Sequence, residues 1–270
     1  MLSRLEKSLP PRLRPLPEFL VLGTMKGGTT SLYRYLLAHP DVAAPSTKEI
    51  HFFDDHWREG VDWYRRRFPS VVPRVVRRLS GRRPIVTGEA TTRYLSARKV
   101  PARVREVLPH ARFVALLRDP ATRAHSHYQH NRRHAREPRS FAAAIDAEIE
   151  GHARGELRVR PSYLGRGLYA DQLERWWAEF PRDRFLIRRS EEFFADPARI
   201  LDDVARFLGL APFDWAASGA TARAYNRHPY APADAEALDR LRAWFRPHNE
   251  RLAALFDPPR EWWDRGGPPE

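Results

Sequence analysis

Short apolar runs alternate with longer segments of helical spacing along this chain. Phe19 to Leu22, Pro84 to Thr87, Arg112 to Leu117 and Arg184 to Ile187 read as four buried-type strands. RFVALL (112–117) is the most strand-like of them. Thr29 to His39, Gly60 to Phe68 and Arg98 to Leu108 read as helices. A long polar helix starts at RDPATR and continues through Ser140 to Arg154. Tyr169 to Phe180 is amphipathic, with Leu173, Trp176, Trp177 and Phe180 at helical spacing. Pro197 to Leu208 is a helix stopped by Gly209, and Ala231 to Phe256 holds the last helices. Pro40 and Pro45 break helix, so 39–57 is expected to be a short strand or extended loop ending in KEIHFF. Ser80 to Pro84 is a turn.

Strands alternating with helices predict an α/β fold: a single P-loop-like domain, its central parallel sheet covered by helices on both faces. Ligands of such sheets sit outside the carboxyl ends of the strands. That singles out 23–30, 89–94, 118–126 and 190–194.

The first of these stretches carries the clearest chemistry. In FLVLGTMKGGTTSL (19–32) an apolar run meets a glycine-rich turn and then a helix start. Glycine lets backbone N–H groups approach an anion, and the helix dipole favours negative charge there. The spacing G-x-x-x-x-G-T-T is close to a nucleoside-triphosphate loop, but that loop needs Lys directly after its second glycine. Here that position is Thr29, and the lysine, Lys26, lies inside the turn. A lysine there points at the 5′ end of a nucleotide, where no γ-phosphate need exist. The bland alternative is a tight strand-to-helix turn without a ligand.

Composition narrows the setting. The 270 residues suffice for one large domain. No apolar run approaches the roughly 18 residues that span a membrane. The N-terminal MLSRLEKSLPPRLRPLPEF lacks the apolar core of a secretory signal, and residues 1–17 read as a flexible arm. Zero cysteines exclude disulfides and thiolate chemistry and fit a cytoplasmic protein. Net charge is +13, carried by arginine, since only Lys7, Lys26, Lys48 and Lys99 are lysines. That balance suits anionic partners. The arginines are scattered along the chain, so charge alone gives no nucleic-acid patch.

Arg118-Asp-Pro follows the strongest strand. Asp119 suits an N-cap and Pro120 a first helical residue. Arg118 at the strand edge and Ser126 two turns along the helix could both reach a second phosphate, or Arg118 could simply pair with a carboxylate.

TMKGGTTSL, KEIHFFD, GEATTRYL, LLRDPATRAHSHY, GLYADQLERWWAEFP and FLGL, in this order, resemble the sulfotransferases that use 3′-phosphoadenosine-5′-phosphosulfate (PAPS). The likeness is to the heparan-sulfate type and its bacterial relatives, and it covers about residues 18 to 257. The resemblance implies a sulfotransferase domain over 18–270. It implies that Lys26, Gly27, Gly28, Thr29, Thr30 and Ser31 hold the 5′-phosphosulfate, and that Arg118 and Ser126 hold the 3′-phosphate. Glu49 matches the family's catalytic base, and His51 is its neighbour in the site. YNRHPYAP resembles a nucleotide-covering loop, with Arg227 and then Arg223 as candidates, and Tyr169 matches a position near the nucleotide. The acceptor is expected to be a hydroxyl on a glycan, a lipid or another small molecule. No metal and no nucleic-acid partner is expected. One departure stands out: the glycan enzymes have Lys after the glutamate matched by Glu89, and this chain has Ala90.

Sulfuryl transfer resembles phosphoryl transfer, with charge building on the leaving oxygen. Lys26 can neutralise that charge and Glu49 can accept a hydroxyl proton. Two competing functions remain at this level. One is a nucleoside-triphosphate-dependent kinase with an altered loop, and the other a non-catalytic anion- or nucleic-acid-binding protein.

Overall fold

The computed structural model describes residues 9–156, 162–223, 225, 232–257 and 262–263. The first strand, β1 (Phe19–Gly23), leads through the glycine turn into α1 (Thr29–Leu36). A two-residue strand, β2 (Val42–Ala43), precedes α2 (Gly60–Arg65) and α3 (Val72–Leu79). β3 (Val86–Ala90), α4 (Val100–Val107), β4 (Arg112–Leu117), α5 (Pro120–Arg133), α6 (Phe141–Ala153) and α7 (Tyr169–Trp177) follow. β5 (Phe185–Arg189), α8 (Ser190–Ala195), α9 (Pro197–Leu208) and α10 (Ala235–Ala254) complete the order.

The strands form one sheet in the order β2-β3-β1-β4-β5, and every pairing is parallel. The expected fold class is therefore observed. Beside the four strands expected, the short strand allowed for within 39–57 forms as β2, Val42 and Ala43 pairing with Val86 and Thr87 at the edge.

Alternation along the strands sends side chains into two cores. Leu20, Leu22, Phe113, Ala115 and Leu117 meet Tyr64, Val104, Leu173 and Trp176 on one face. Phe19, Val21, Val114 and Leu116 meet Leu32, Tyr33, Phe193, Ile200 and Val204 on the other. A third cluster joins α5, α6 and α10 through Ala124, Ile145, Leu241 and Phe245.

Several boundaries differ from the sequence reading. The third strand runs over VTGEA rather than PIVT, because Phe19 pairs with Gly88 and its ring fills the space of a side chain there. A Cβ on Gly88 would lie 2.3 Å from that ring. The long polar helix is broken, α5 ending at Arg133 and Ala135 taking a left-handed φ of 53°. Helices α3 and α8 were not anticipated.

Of the expected arm, residues 9–17 lie against the body. Arg14 NH1 donates to the Phe68 carbonyl at 2.7 Å, and the Val71 N–H donates to the Leu13 carbonyl at 2.8 Å. Among the described residues no helix is long and apolar enough to cross a membrane.

Candidate active site

The glycine turn is held by its neighbours rather than by its own bonds alone. Thr24 N–H donates to the Leu116 carbonyl of β4 at 2.8 Å, and Gly27 N–H closes the turn on the Thr24 carbonyl at 3.0 Å. Lys26 has a left-handed φ of 69°, a conformation that L side chains adopt at a cost. Gly28, at φ 87°, is the N-cap of α1. Gly27 has no room for a side chain: a Cβ would lie 2.8 Å from Thr24 Cγ2 and 2.9 Å from the Leu116 oxygen. Ser190 Oγ, at the start of α8, donates to the Gly27 carbonyl at 2.9 Å. The turn's backbone is thus fixed from β4 and α8 at the N-terminus of a helix, where anions are favoured.

The second motif meets the first. Arg118, one residue beyond β4, donates from NH1 to the Lys26 carbonyl at 3.0 Å. Asp119 caps α5 by accepting from Thr122 N–H at 2.7 Å, with Pro120 at the first helical position, as the sequence suggested. Ser126 is buried in α5. Tyr169 is buried too; its hydroxyl donates to the Arg118 carbonyl at 2.9 Å and bonds with the Thr24 side chain. It is a strut joining the two motifs from behind.

This region is rich in positive charge. Burial pushes His127 down to about 2 and His130 to about 4, with Lys26 adding to both shifts. Burial also lowers His125, and Arg118 adds to it. Buried Arg123 leaves Nε and NH1 without hydrogen-bond partners, and His127 Nδ1 is in the same condition. Such a cluster fits an anionic group.

Glu49 reaches the site from the segment after β2. Its N–H donates to the Ala90 carbonyl at 3.1 Å, which fastens the segment to the end of β3. Glu49 and His51 both take φ of 57°. The Glu49 carboxylate accepts from Lys48 Nζ at 2.5 Å and from Thr92 N–H at 3.0 Å, and His51 Nε2 lies 3.6 Å away. Thr92 in turn packs against the start of the glycine turn, where a Cβ on Gly23 would meet its carbonyl at 2.9 Å.

On its other side His51 Nδ1 bonds Asp54 at 3.0 Å, and that hydrogen bond raises the imidazole above its ordinary range. His51, Asp54 and Asp55 bring one ligand-type atom each within 4.8 Å of one another. Arg93 already pairs with both aspartates there.

Thr29 is buried and Thr30 half-buried in the first turn of α1. Ser31 Oγ accepts from the Tyr225 N–H at 3.2 Å, and Tyr35 donates its hydroxyl to the Arg223 carbonyl at 2.8 Å. The Arg223 guanidinium lies 5.4 Å from the Tyr225 ring centroid. Residues 223 and 225 are thereby pinned to α1. Arg227 lies outside the described residues.

In the sequence Glu89 stood out as part of a stretch following a strand and as the family glutamate ahead of Ala90, with no role given to it. It is fully buried and accepts three hydroxyls: Tyr64 at 2.6 Å, Thr91 at 3.0 Å and Tyr94 at 3.2 Å. Burial raises it to about 7, and the Glu49 charge adds to the rise.

Known proteins match this arrangement. The family model described as "Sulfotransferase domain" matches residues 16–263. Bifunctional heparan sulfate N-deacetylase/N-sulfotransferase 3 of Homo sapiens is 33% identical over 270 residues, covering 89% of this chain and 30% of its own length. Heparan sulfate glucosamine 3-O-sulfotransferase 6 of Homo sapiens is 35% identical over 200 residues, covering 74% of this chain and 54% of its own. This chain thus spans only part of these longer relatives. The crystal structure of a sulfotransferase from Alicyclobacillus acidocaldarius superposes with a TM-score of 0.69 at 30% identity, covering 89% of this chain and 96% of that one. By these matches, over nearly its whole length, this chain belongs to the sulfotransferase family.

Proposed function

We propose that this enzyme transfers a sulfuryl group from PAPS to an acceptor hydroxyl, with Glu49 as general base. The observation that carries the reading is the meeting of three segments at the carboxyl ends of adjacent strands. Arg118 bonds the Lys26 carbonyl, and Glu49 bonds Thr92, which packs on Gly23. The positive cluster and the orphaned nitrogens of Arg123 and His127 suit an anionic nucleotide. In this reading residues 26–31 hold the 5′ end and Arg118 and Ser126 the 3′-phosphate. Arg223 and Arg227 belong to a covering loop. Bound PAPS supplies the activated sulfuryl group.

Lys26 faces the charge that builds on the leaving oxygen, a task that needs no metal. Glu49 takes the acceptor proton, and His51, oriented by its hydrogen bond to Asp54, stands beside it. The heparan sulfate relatives make a glycan acceptor one candidate and small molecules the other. Ala90 is enclosed in the apolar core on one sheet face, so a cation in the glycan enzymes' manner is missing there. The reading includes residues 18–270 as the catalytic domain and a cytoplasmic setting, which a cysteine-free chain suits.

Calorimetry tests the nucleotide assignment. Adenosine 3′,5′-bisphosphate should bind more tightly than AMP by about 2–5 kcal/mol, the contribution of a charged pair of contacts. Arg118→Ala should erase most of that difference. Equal affinities in the wild-type protein would remove the 3′-phosphate site.

A further inference from the structure

Helix α3 has no part in the site, and it is docked the wrong way round for a surface helix. Val72, Val75, Val76 and Leu79 stand at i, i+3, i+4 and i+7, which puts them on one face. That stripe ordinarily faces a core. Here the four residues are 37%, 45%, 58% and 83% exposed. The opposite face holds the helix to the body through charge. Arg74 pairs with Glu18 at 2.6 Å, and Arg77 pairs with the buried Asp41 and donates to the Pro40 carbonyl at 2.7 Å. Leu13, 40% exposed, adjoins the start of the helix through the Val71 N–H. Among the described residues, Phe194 is the single exposed large hydrophobic outside this group.

The rim of the stripe is basic. Arg12, Arg78, Arg82 and Arg83 are all exposed, and none has a carboxylate partner among the described residues. Arg83 donates only to the Gly209 carbonyl, at 3.0 Å.

We propose that this face seats on an anionic lipid surface. The stripe would enter the boundary between headgroups and acyl chains, and the arginines would meet the headgroup anions. Charge complementarity selects this occupant. A polyanionic chain would engage the arginines and leave the valines and Leu79 in water. A second copy of this chain would bring two arginine rims together across a self-complementary face.

The placement is compatible with catalysis. The partners of α3 are Glu18, Pro40 and Asp41, just ahead of β1 and β2. They lie at the opposite ends of the strands from the glycine turn. A lipid-seated molecule therefore keeps its cleft turned to solvent.

Flotation of the purified protein with vesicles tests this. The protein should float with vesicles of phosphatidylcholine and phosphatidylserine, and stay behind with phosphatidylcholine alone. The double variant Val76→Asp/Leu79→Asp, and separately Arg78→Glu/Arg82→Glu, should each lower the bound fraction by about tenfold. Both should keep wild-type affinity for adenosine 3′,5′-bisphosphate, which certifies the fold. Binding to neither vesicle, equal binding to both, or variants that float like wild type would overturn the proposal. So would a dimer in sedimentation velocity that Val76→Asp/Leu79→Asp abolishes, since the stripe would then belong to a second copy.

Discussion

Two carboxylates lie close together at the end of β3, and their surroundings give them different work. Glu49 is part-exposed and bonded to a lysine and a backbone N–H, while Glu89 is enclosed by three hydroxyls. Of the two, only Glu49 is open to solvent. Glu49→Gln keeps the shape and can still accept from Thr92, but it cannot take a proton. Turnover should fall by about 10²–10⁴ while adenosine 3′,5′-bisphosphate affinity stays near wild type. Turnover within a few-fold of wild type would remove Glu49 as the base and bring His51 forward.

Glu89 should instead appear in stability. Its folded-state value, about 7, lies above the ordinary 4.5, so the folded protein binds this proton more tightly than the unfolded chain does. Its contribution is fully present below pH 4.5 and is lost as pH rises through 7. Glu89→Gln, which carries no charge at any pH, should remove that fall. The difference in melting temperature between wild type and variant should therefore shift in favour of the variant between pH 5 and pH 8. A constant difference across that range would mean that Glu89 does not titrate there.

At the scale of elements, the glycine turn is the part that tolerates least. A methyl on Gly27 meets backbone oxygen of β4, which cannot swing away. Gly27→Ala should lower stability by about 1–3 kcal/mol in urea unfolding and weaken nucleotide binding at least tenfold. Wild-type behaviour in both would show that the turn is free to move.

Much of this level was legible in the sequence. β1 and β4 announce themselves by dense apolar runs, and the Asp119–Pro120 start of α5 by its cap chemistry. The extent of β3 was not legible. Val86, Thr87, Gly88, Glu89 and Ala90 lack a strand-like pattern and become a strand because β1 and β2 flank them. Nor was α3 legible as an element, because its apolar stripe answers to no core. The left-handed turns at Glu49 and His51 come from bonds to Ala90, Thr91 and Thr92, some forty residues away in sequence.

For the whole molecule, the net charge of +13 fits a protein whose ligands are anions. The sequence motifs pointed to the sulfotransferase family, and three-dimensional packing added what joins them: Tyr169, Ser190 and Thr92 link turn, arginine and glutamate into one unit. If Lys26 takes the part that a metal plays in kinases, as proposed, transfer should not depend on a divalent ion. The most direct measurement is transfer of radiolabelled sulfur from PAPS to a panel of glycan and small-molecule hydroxyl acceptors, in excess EDTA, with wild-type protein and with Lys26→Ala. Labelled product from the wild-type protein, nearly abolished by Lys26→Ala, is the expected result. Transfer that needs magnesium, or that survives the loss of Lys26, would contradict the account.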